Sequence, residues 1–212
     1  MDLFRAAQTG NLTPCENVFV RKDYRIRPLE QFDLPNMVKW HHAPHVRAAA
    51  FSEYETTLEK MQEWFHSITA NKKIVYLIFE GNQIPLGVVN FVDIDRRHSR
   101  AQWGLYLGEE NQPKATGTVL GYFGLEYGFR ILGLRRIMAE MIVNNPKSIS
   151  LHKRLGFTVE GRFRAHVVKD GNYLDVLTAA IFADDWRTIQ RQKLGEMLFS
   201  DWNNERGNKT NC

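Results

Sequence analysis

The segment from Gln112 to Thr118 has the residue types of a loop that holds phosphate groups. It reads Gln-Pro-Lys-Ala-Thr-Gly-Thr and lies between an apolar run that ends at Leu107 and a helical pattern. Small residues at Ala115 and Gly117 let the backbone pass close to a ligand, and a helix N-terminus offers unpaired N–H groups. The same two residues are also typical of an ordinary turn before a helix, and their spacing alone does not separate the two interpretations.

Nucleotide hydrolysis, dinucleotide binding and serine-hydrolase chemistry lose support because their motifs do not occur. The loop lacks the Gly-x-x-x-x-Gly-Lys-Ser/Thr pattern of nucleotide hydrolases, and no Gly-x-Gly-x-x-Gly follows a predicted strand. Neither a Gly-x-Ser-x-Gly nor a Ser-His-Asp hydrolase arrangement is evident.

A second polar group lies along a short predicted helix. Asn145, followed by a proline, has the character of an N-cap, and Ser148 and His152 follow it on one helical face. We expect this polar row to face outward while Leu151 and Leu155 face the core. For His152 alone, a surface or half-buried helical histidine is the more frequent situation.

Three nearby histidines raise the question of a metal site. His41 and His45 would share a helical face with His42 beside them, but Pro44 interrupts that helix. No complementary cysteine or carboxylate cluster is evident, so we expect no metal.

The elements that must position these residues follow from hydrophobic periodicity and turn residues. Before the loop, the sequence predicts helices at Asp33 to His41 and Leu58 to Ile68, and strands at Phe19 to Arg27, Ile74 to Phe79, Leu86 to Asp93 and Ala101 to Leu107. Thr56 and Glu59 have the spacing of a capping box, and Gly81-Asn82 is a hairpin signal.

After the loop, helices and strands continue to alternate. The sequence predicts helices at Thr118 to Gly133, Asn145 to Gly156 and Asp184 to Trp202, and strands at Arg136 to Val143, 158–169 and 173–182. Asp170-Gly171-Asn172 is the hairpin turn between the last two strands. The predicted fold class is therefore α+β, with one mixed sheet covered by helices.

Composition limits the class of protein further. The 212 residues suit one domain, and the 28 basic and 24 acidic residues are dispersed, which argues against a nucleic-acid surface. The two cysteines, Cys15 and Cys212, lie far apart, which favours a reduced, cytoplasmic location. No signal peptide is evident, and the apolar run Ile74 to Phe79 is far shorter than a membrane span, so we expect no membrane partner.

The loop and the Asn145 helix together resemble the GNAT superfamily of N-acetyltransferases. The shared pattern is a strand, a Gln/Arg-x-x-Gly/Ala-x-Gly loop opening a helix, a strand, and an Asn-x-x-Ser-x-x-Leu-Tyr/His-x-x-x-Gly-Phe helix. It covers roughly residues 20–186, with Ala115 where many members have glycine and His152 where tyrosine is usual. The resemblance implies a mostly antiparallel GNAT sheet at 20–186, preceded by an arm at 1–19 and followed by a helix and tail at 187–212.

Shorter motifs resemble two groups within that superfamily. Glu160 to Arg164 and Asp170 to Asp175 are similar to the ribosomal-protein N-terminal acetyltransferases. Trp40 to Arg47, Val92 to Asp95 and Leu151 to Phe157 are similar to the amino-sugar-nucleotide N-acetyltransferases of pseudaminic acid synthesis.

The resemblance implies direct acetyl transfer from acetyl-CoA to an amine, with His152 as the general acid for the departing thiolate. It implies that the cofactor is held by Tyr106, Leu107, Gln112, Lys114, Ala115, Thr116, Gly117, Thr118, Asn145 and Ser148, with the pyrophosphate on the loop and the pantetheine at the end of the strand. No general base is assigned, and a carboxylate or a water chain near Asp93, Glu140 or Asp175 is a candidate for that role.

The predicted acceptor is the 4-amino group of a nucleotide-linked dideoxy sugar, which Arg47 and Asn90 are predicted to bind. The protein is predicted to be a monomer or a homodimer. The alternative acceptor is an N-terminal peptide amine. A non-catalytic acyl-CoA-binding or nucleic-acid-binding module is the alternative of another class, and a solvated surface charge is an equally good interpretation of Arg47.

Overall fold

A computed structural model describes residues 19–21, 23–51 and 56–199. Residues 1–18 of the predicted arm and the predicted helix end at Trp202 lie outside the described residues. The strands are β1 (Phe19–Arg21), β2 (Tyr24–Pro28), β3 (Val75–Gly81), β4 (Ile84–Asp95), β5 (Arg100–Leu107), β6 (Arg136–Ile142), β7 (Thr158–Lys169) and β8 (Asn172–Phe182). The helices are α1 (Leu34–His42), α2 (Pro44–Ala49), α3 (Leu58–Thr69), α4 (Thr116–Glu126), α5 (Pro146–Leu155), α6 (Ala183–Asp185) and α7 (Arg191–Leu198).

The strands form one sheet in the order β1-β2-β3-β4-β5-β6-β8-β7. Each described neighbouring pair is antiparallel except β5 and β6, which run parallel. Their pairing extends only from Arg100 with Arg136 to Trp103 with Ala139, although β5 continues to Leu107. The sheet is therefore open between the last residues of β5 and β6, and the predicted α+β class with a mostly antiparallel sheet is confirmed.

Side chains alternate between the two faces of the sheet, and each face carries a buried cluster. On one face Phe91 and Trp103 pack with Leu120 and Phe123 of α4. On the other face Ile78 and Val88 pack with residues of α1 and α3, including Met37, Trp40 and Met61. The two clusters fix α4 on one side of the open gap and α1 on the other side.

The helix that follows the predicted phosphate loop is buried over almost its whole surface, and its far end is anchored by a carboxylate. Glu126 is 3% exposed and accepts hydrogen bonds at 2.8 Å from both the Trp186 indole and the Arg191 guanidinium. Leu194 and Phe199 belong to the same core cluster as Leu120 of α4. Through these contacts the C-terminal segment supports α4.

Some element boundaries differ from the sequence predictions. The single strand predicted at Phe19 to Arg27 is two strands, because Arg21 pairs with Tyr24 in antiparallel register. The predicted helix after the loop begins at Thr116 and continues as a π-helical turn over Tyr127–Ile131. A second π-helical turn, Trp186–Gln190, divides the predicted C-terminal helix into α6 and α7. The division of the chain at residues 19 and 186 stays a prediction.

Candidate active site

A cavity of about 520 Å³ lies at the open gap between β5 and β6. Side chains from both faces of the sheet line it, so the gap connects the α4 side with the α1 side. From the α4 side come Trp103, Leu105, Leu107, Gly117, Leu120, Ser148, Leu151 and His152. From the α1 side come His41, His45, Arg47, Thr56, Asn90 and Glu140. Two reactants could therefore meet here from opposite faces.

The exposed edge of β5 supplies backbone groups to this gap. The Gly108 N–H donates to the Leu86 carbonyl at 2.8 Å, which places the even-numbered residues of β5 in the ladder with β4. Odd-numbered residues of β5 face β6 instead, because backbone groups alternate between neighbours in an antiparallel strand. The N–H and C=O groups of Leu105 and Leu107 therefore point into the gap, where β6 no longer pairs. The backbone N–H and C=O of Tyr106, which was predicted to meet the pantetheine, pair with β4, and its side chain lines the cavity.

The predicted phosphate loop opens α4 beside this edge. Ala115 is the N-cap of α4 and has a left-handed φ of 75°, a conformation that favours glycine. The N–H of Thr116 donates to the Pro113 carbonyl at 3.2 Å and that of Thr118 to the Ala115 carbonyl at 2.7 Å. Gly117 lines the cavity, and a β-carbon on it would lie 3.8 Å from Leu107 Cδ1. The loop therefore brings Gly117 directly to the end of β5.

Two cations, one beside the loop and one at the cavity, were missed by the sequence reasoning. Arg154 of α5 donates to the Thr118 hydroxyl at 3.1 Å, and Lys147 lines the cavity. Their positions on a helix distant in sequence gave no motif to recognise. Of the predicted loop residues, Lys114 is exposed and Gln112 donates to the Glu110 carbonyl at 3.3 Å, and neither lines the cavity.

The N-terminus of α5 forms as its sequence predicts. The Asn145 side chain accepts a hydrogen bond from the Ser148 N–H at 3.0 Å, and a proline occupies the first turn. Asn145 and Ser148 both line the cavity. The cap therefore holds two polar side chains at the gap.

His152 departs from the outward-facing polar row that the sequence predicts. The residue is 6% exposed, and its ring packs against Trp103 and Phe157, with ring centroids 5.7 and 5.0 Å away. Nε2 accepts from the Trp103 indole N–H at 3.2 Å, and Nδ1 donates to the Ser148 carbonyl at 2.8 Å. Burial lowers the pKa of His152 below its ordinary value. The ring is therefore neutral, and both of its nitrogens already have protein partners.

The opposite face carries the acceptor-side residues. Asn90 lies over Gly104, where a β-carbon would approach the Asn90 amide oxygen to 2.8 Å. The Tyr106 ring packs edge-on against Trp40, and burial raises the pKa of its hydroxyl, which keeps it protonated. Glu140 is the one carboxylate among the described residues that line the cavity.

The other two carboxylates named as candidate bases lie outside the cavity. Asp175 accepts from the Ala165 N–H at 2.7 Å and pairs with Arg162. Asp93 belongs to an irregular part of β4, where its φ is 51°. Of the three candidate bases, the structure therefore brings only Glu140 to the gap.

The histidines considered for a metal make separate contacts. His41 lies 3.4 Å from the Thr56 hydroxyl, and burial together with His42 lowers the pKa of its ring. His45 Nε2 donates to the Leu107 carbonyl at 3.1 Å, and its Nδ1 lies 2.9 Å from a Glu110 carboxylate oxygen without good hydrogen-bond alignment. No cluster of three or more His, Cys, Asp or Glu is found among the described residues.

The family follows from comparison with known proteins. The acetyltransferase (GNAT) domain family matches residues 26–178, which include the gap, the loop and α5. The chain belongs to the GNAT acetyltransferases. It is an N-acetyltransferase that uses acetyl-CoA as the acetyl donor, as the loop and the Asn145 helix predicted. Within the described residues, no helix is both long and apolar enough to span a membrane.

Relatives within the family act on different amines. Spermidine N(1)-acetyltransferase of Vibrio cholerae is 26% identical over 71% of this chain and 88% of its own length. A crystal structure of the V. cholerae spermidine N-acetyltransferase with CoA and spermine has a TM-score of 0.75 and 24% identity, covering 79% of this chain and all of that one. The Escherichia coli uS5-alanine N-acetyltransferase is 30% identical over 48% of this chain and 53% of its own length. The comparisons do not support the predicted resemblance to pseudaminic acid enzymes.

Proposed function

We propose that this GNAT enzyme transfers the acetyl group directly from acetyl-CoA to a small primary amine within the β5–β6 gap. The observation that carries the proposal is the two-sided cavity, lined by the end of β5 and by polar residues of both faces. Acetyl-CoA enters from the α4 side and the amine from the α1 side. The amine nitrogen attacks the thioester carbon, the C–S bond breaks, and CoA leaves as a thiolate.

The donor side supplies hydrogen bonds and positive charge. We assign the N–H groups of Leu105 and Leu107 to the pantetheine and to the oxyanion that develops on the thioester oxygen. Backbone N–H groups at Ala115 and Gly117 hold the pyrophosphate at the α4 N-terminus, where the helix dipole favours anions. Arg154 stands beside the same helix turn and adds a cation for phosphate.

Asn145 and Ser148 complete the donor side next to the pantetheine. Their side chains line the cavity at the N-terminus of α5, and the cap fixes their position. Lys147 lies between them in sequence and contributes a second cation to the same wall.

We assign His152 a positioning role in place of the general-acid role that the resemblance implied. Its single N–H is directed to the Ser148 carbonyl, and its other nitrogen is covered by the Trp103 indole. A donor must place a proton within hydrogen-bond reach of the reacting atom, and this ring has none facing the cavity. The thiolate instead takes the proton that the attacking nitrogen loses, carried by Glu140 or solvent.

A polyamine is the first acceptor class that we propose. Two relatives with extensive coverage, from V. cholerae and E. coli, are spermidine N(1)-acetyltransferases. Glu140 provides a carboxylate on the acceptor side that would attract an ammonium group and accept its proton. Burial lowers the pKa of His41 on the same wall, which disfavours an additional positive charge there that would repel a polyamine.

A sugar nucleotide is the second candidate, and Arg47 favours it. Arg47 lines the acceptor side, and a guanidinium suits phosphate oxygens, whereas a polyamine would be repelled by it. An N-terminal peptide amine is the third acceptor to compare, because the uS5-alanine relative covers part of the chain.

The deciding experiment measures thiol release from acetyl-CoA with matched acceptors. Spermidine, a 4-amino-4,6-dideoxy sugar nucleotide and a ribosomal-protein N-terminal peptide are compared by kcat/KM, with acetyl-CoA alone as the hydrolysis control. We expect spermidine to give the highest value. A higher value for the sugar nucleotide would reverse the assignment, and no release above hydrolysis with any amine would contradict the proposed function.

A further inference from the structure

The short helix α2 forms one wall of the acceptor side of the cavity. Val46, Arg47, Ala49 and Ala50 from its length and C-terminal end line the cavity, together with Phe51. At six residues α2 is far shorter than the roughly 12–15 residues that an isolated helix needs for marginal stability in water. Its position therefore depends on contacts with the rest of the protein.

Lys169, more than a hundred residues away in sequence, holds the C-terminal end of α2. Its ammonium donates to the carbonyls of Arg47 at 2.7 Å, Ala48 at 2.9 Å and Ala50 at 2.7 Å. An ammonium has three N–H groups, and this arrangement uses all of them. Carbonyls in the last turn of a helix mostly lack partners within the helix and carry partial negative charge, so they suit a cation. The Arg47 carbonyl also accepts from the Ala50 N–H at 3.3 Å.

A second contact fastens α2 on the other side of the gap. His45 Nε2 donates to the Leu107 carbonyl at 3.1 Å, at the end of β5. Lys169 ends β7, next to the hairpin turn that leads into β8. The two contacts therefore hold α2 between the two sides of the sheet opening.

We propose that Lys169 is a positioning residue for the acceptor, which sets acceptor affinity by holding the α2 wall without touching either substrate. This inference rests on the proposed function, because it assumes that the α1 side receives the amine. The donor side is built from β5, α4 and α5, whereas the three hydrogen bonds of the Lys169 ammonium all go to carbonyls of residues 47, 48 and 50. Loss of the Lys169 ammonium should therefore affect the two substrates unequally.

The same geometry argues against a role of Lys169 as a direct ligand for an anionic acceptor. Its three N–H groups already point at carbonyl oxygens, so binding a phosphate would require at least one of these bonds to break. A guanidinium at this position is planar and cannot direct three donors toward the same convergent carbonyls. Lys169→Arg should therefore restore only part of the function, although it keeps the positive charge.

The test compares Lys169→Met and Lys169→Arg with Lys153→Met, which removes an exposed lysine of α5. We expect Lys169→Met to raise the KM for spermidine roughly 10- to 100-fold, because a displaced α2 wall no longer holds the acceptor in its bound position. The KM for acetyl-CoA and the kcat at saturating spermidine should stay within about twofold of wild type. Lys169→Arg should lie between Lys169→Met and wild type.

Hydrogen exchange followed by mass spectrometry supplies a second readout that needs no acceptor. Amides in residues 44–51 should exchange faster in Lys169→Met than in wild type or in Lys153→Met. Unchanged exchange, or faster exchange with an unchanged acceptor KM, would overturn the role of Lys169. An equal rise in both KM values would also overturn it, because the proposed role predicts a selective effect on the acceptor. Absence of thiol release with every amine in wild type would instead contradict the proposed function, and this inference with it.

Discussion

The indole N–H of Trp103 donates to Nε2 of His152 at 3.2 Å, across the buried junction of β5 and α5. Because Nε2 is an acceptor in this bond, the proton of the neutral ring is on Nδ1, which donates to the Ser148 carbonyl at 2.8 Å. The pair therefore fixes one tautomer of His152 and ties α5 to the strand whose edge forms the gap. It leaves no imidazole proton for the thiolate.

Replacing His152 with phenylalanine should affect stability more than catalysis. His152→Phe keeps an aromatic ring in the cluster but leaves the buried Trp103 N–H without its acceptor, a loss of about 1–3 kcal/mol in the free energy of unfolding. We expect kcat per folded molecule to stay within several-fold of wild type. Urea unfolding and steady-state kinetics on the same preparation measure both quantities. A fall in kcat of about 10²–10⁴ with unchanged stability would restore His152 as the general acid.

Substitution of Gly117 tests whether the predicted phosphate loop binds acetyl-CoA. Gly117→Glu should abolish the rise in melting temperature that acetyl-CoA produces in wild type, because the new carboxylate repels the pyrophosphate. A glutamate in the first helical turn is compatible with folding, since it complements the helix dipole. Gly117→Ala is the matched control, as its β-carbon would make ordinary contact with Leu107 at 3.8 Å. Normal acetyl-CoA binding by folded Gly117→Glu would remove the loop from the site.

Substitution of Glu140 tests whether this carboxylate accepts the proton of the acceptor amine. Glu140→Gln should lower kcat/KM for spermidine by about 10²- to 10⁴-fold if the carboxylate accepts the amine proton. Acetyl-CoA binding, measured by the thermal shift, should not change. Asp93→Asn is the control, because Asp93 lies outside the cavity and asparagine tolerates its φ of 51°. Equal activities of Glu140→Gln and wild type would leave the amine to lose its proton to solvent.

Local patterns predicted the elements that carry the site, since each relies on residues close in sequence. Asn145 caps α5 as predicted because an N-cap needs only a side chain three residues before its target N–H. Pro44 begins α2 and separates it from α1, for the same reason that it made one continuous helix improbable. The GNAT order of strands and helices followed from such signals together.

Contacts between distant segments could not be predicted in this way. The buried position of His152 depends on Trp103, 49 residues earlier, and helical periodicity alone placed it in a polar row. Arg154 meets Thr118 only because α5 packs beside α4, and Lys169 meets Arg47 because the β7–β8 hairpin reaches α2. The role proposed for Leu105 belongs to its backbone N–H, and the type of side chain at that position gives no sign of it.

The pH dependence of stability offers a separate test of the buried histidine. Burial lowers the pKa of His152 below its ordinary value of 6.5, whereas the unfolded chain retains that ordinary value. Below about pH 6.5 the unfolded state therefore binds more protons than the native state, and the free energy of unfolding falls as the pH falls. For His152 the limiting slope is about 1.4 kcal/mol per pH unit until the folded pKa is reached.

His41, whose pKa is also lowered by burial, should add a change of the same sign. We expect urea unfolding between pH 5 and 7.5 to show decreasing stability toward acid in wild type and in Lys153→Met. His152→Phe should be less stable at pH 7.5 but show a flatter pH dependence, because phenylalanine binds no proton in either state. The difference between the two slopes isolates His152 from His41, which remains in both proteins. Identical slopes would mean that His152 titrates alike in the folded and unfolded chain, which contradicts the neutral ring held between Trp103 and Ser148.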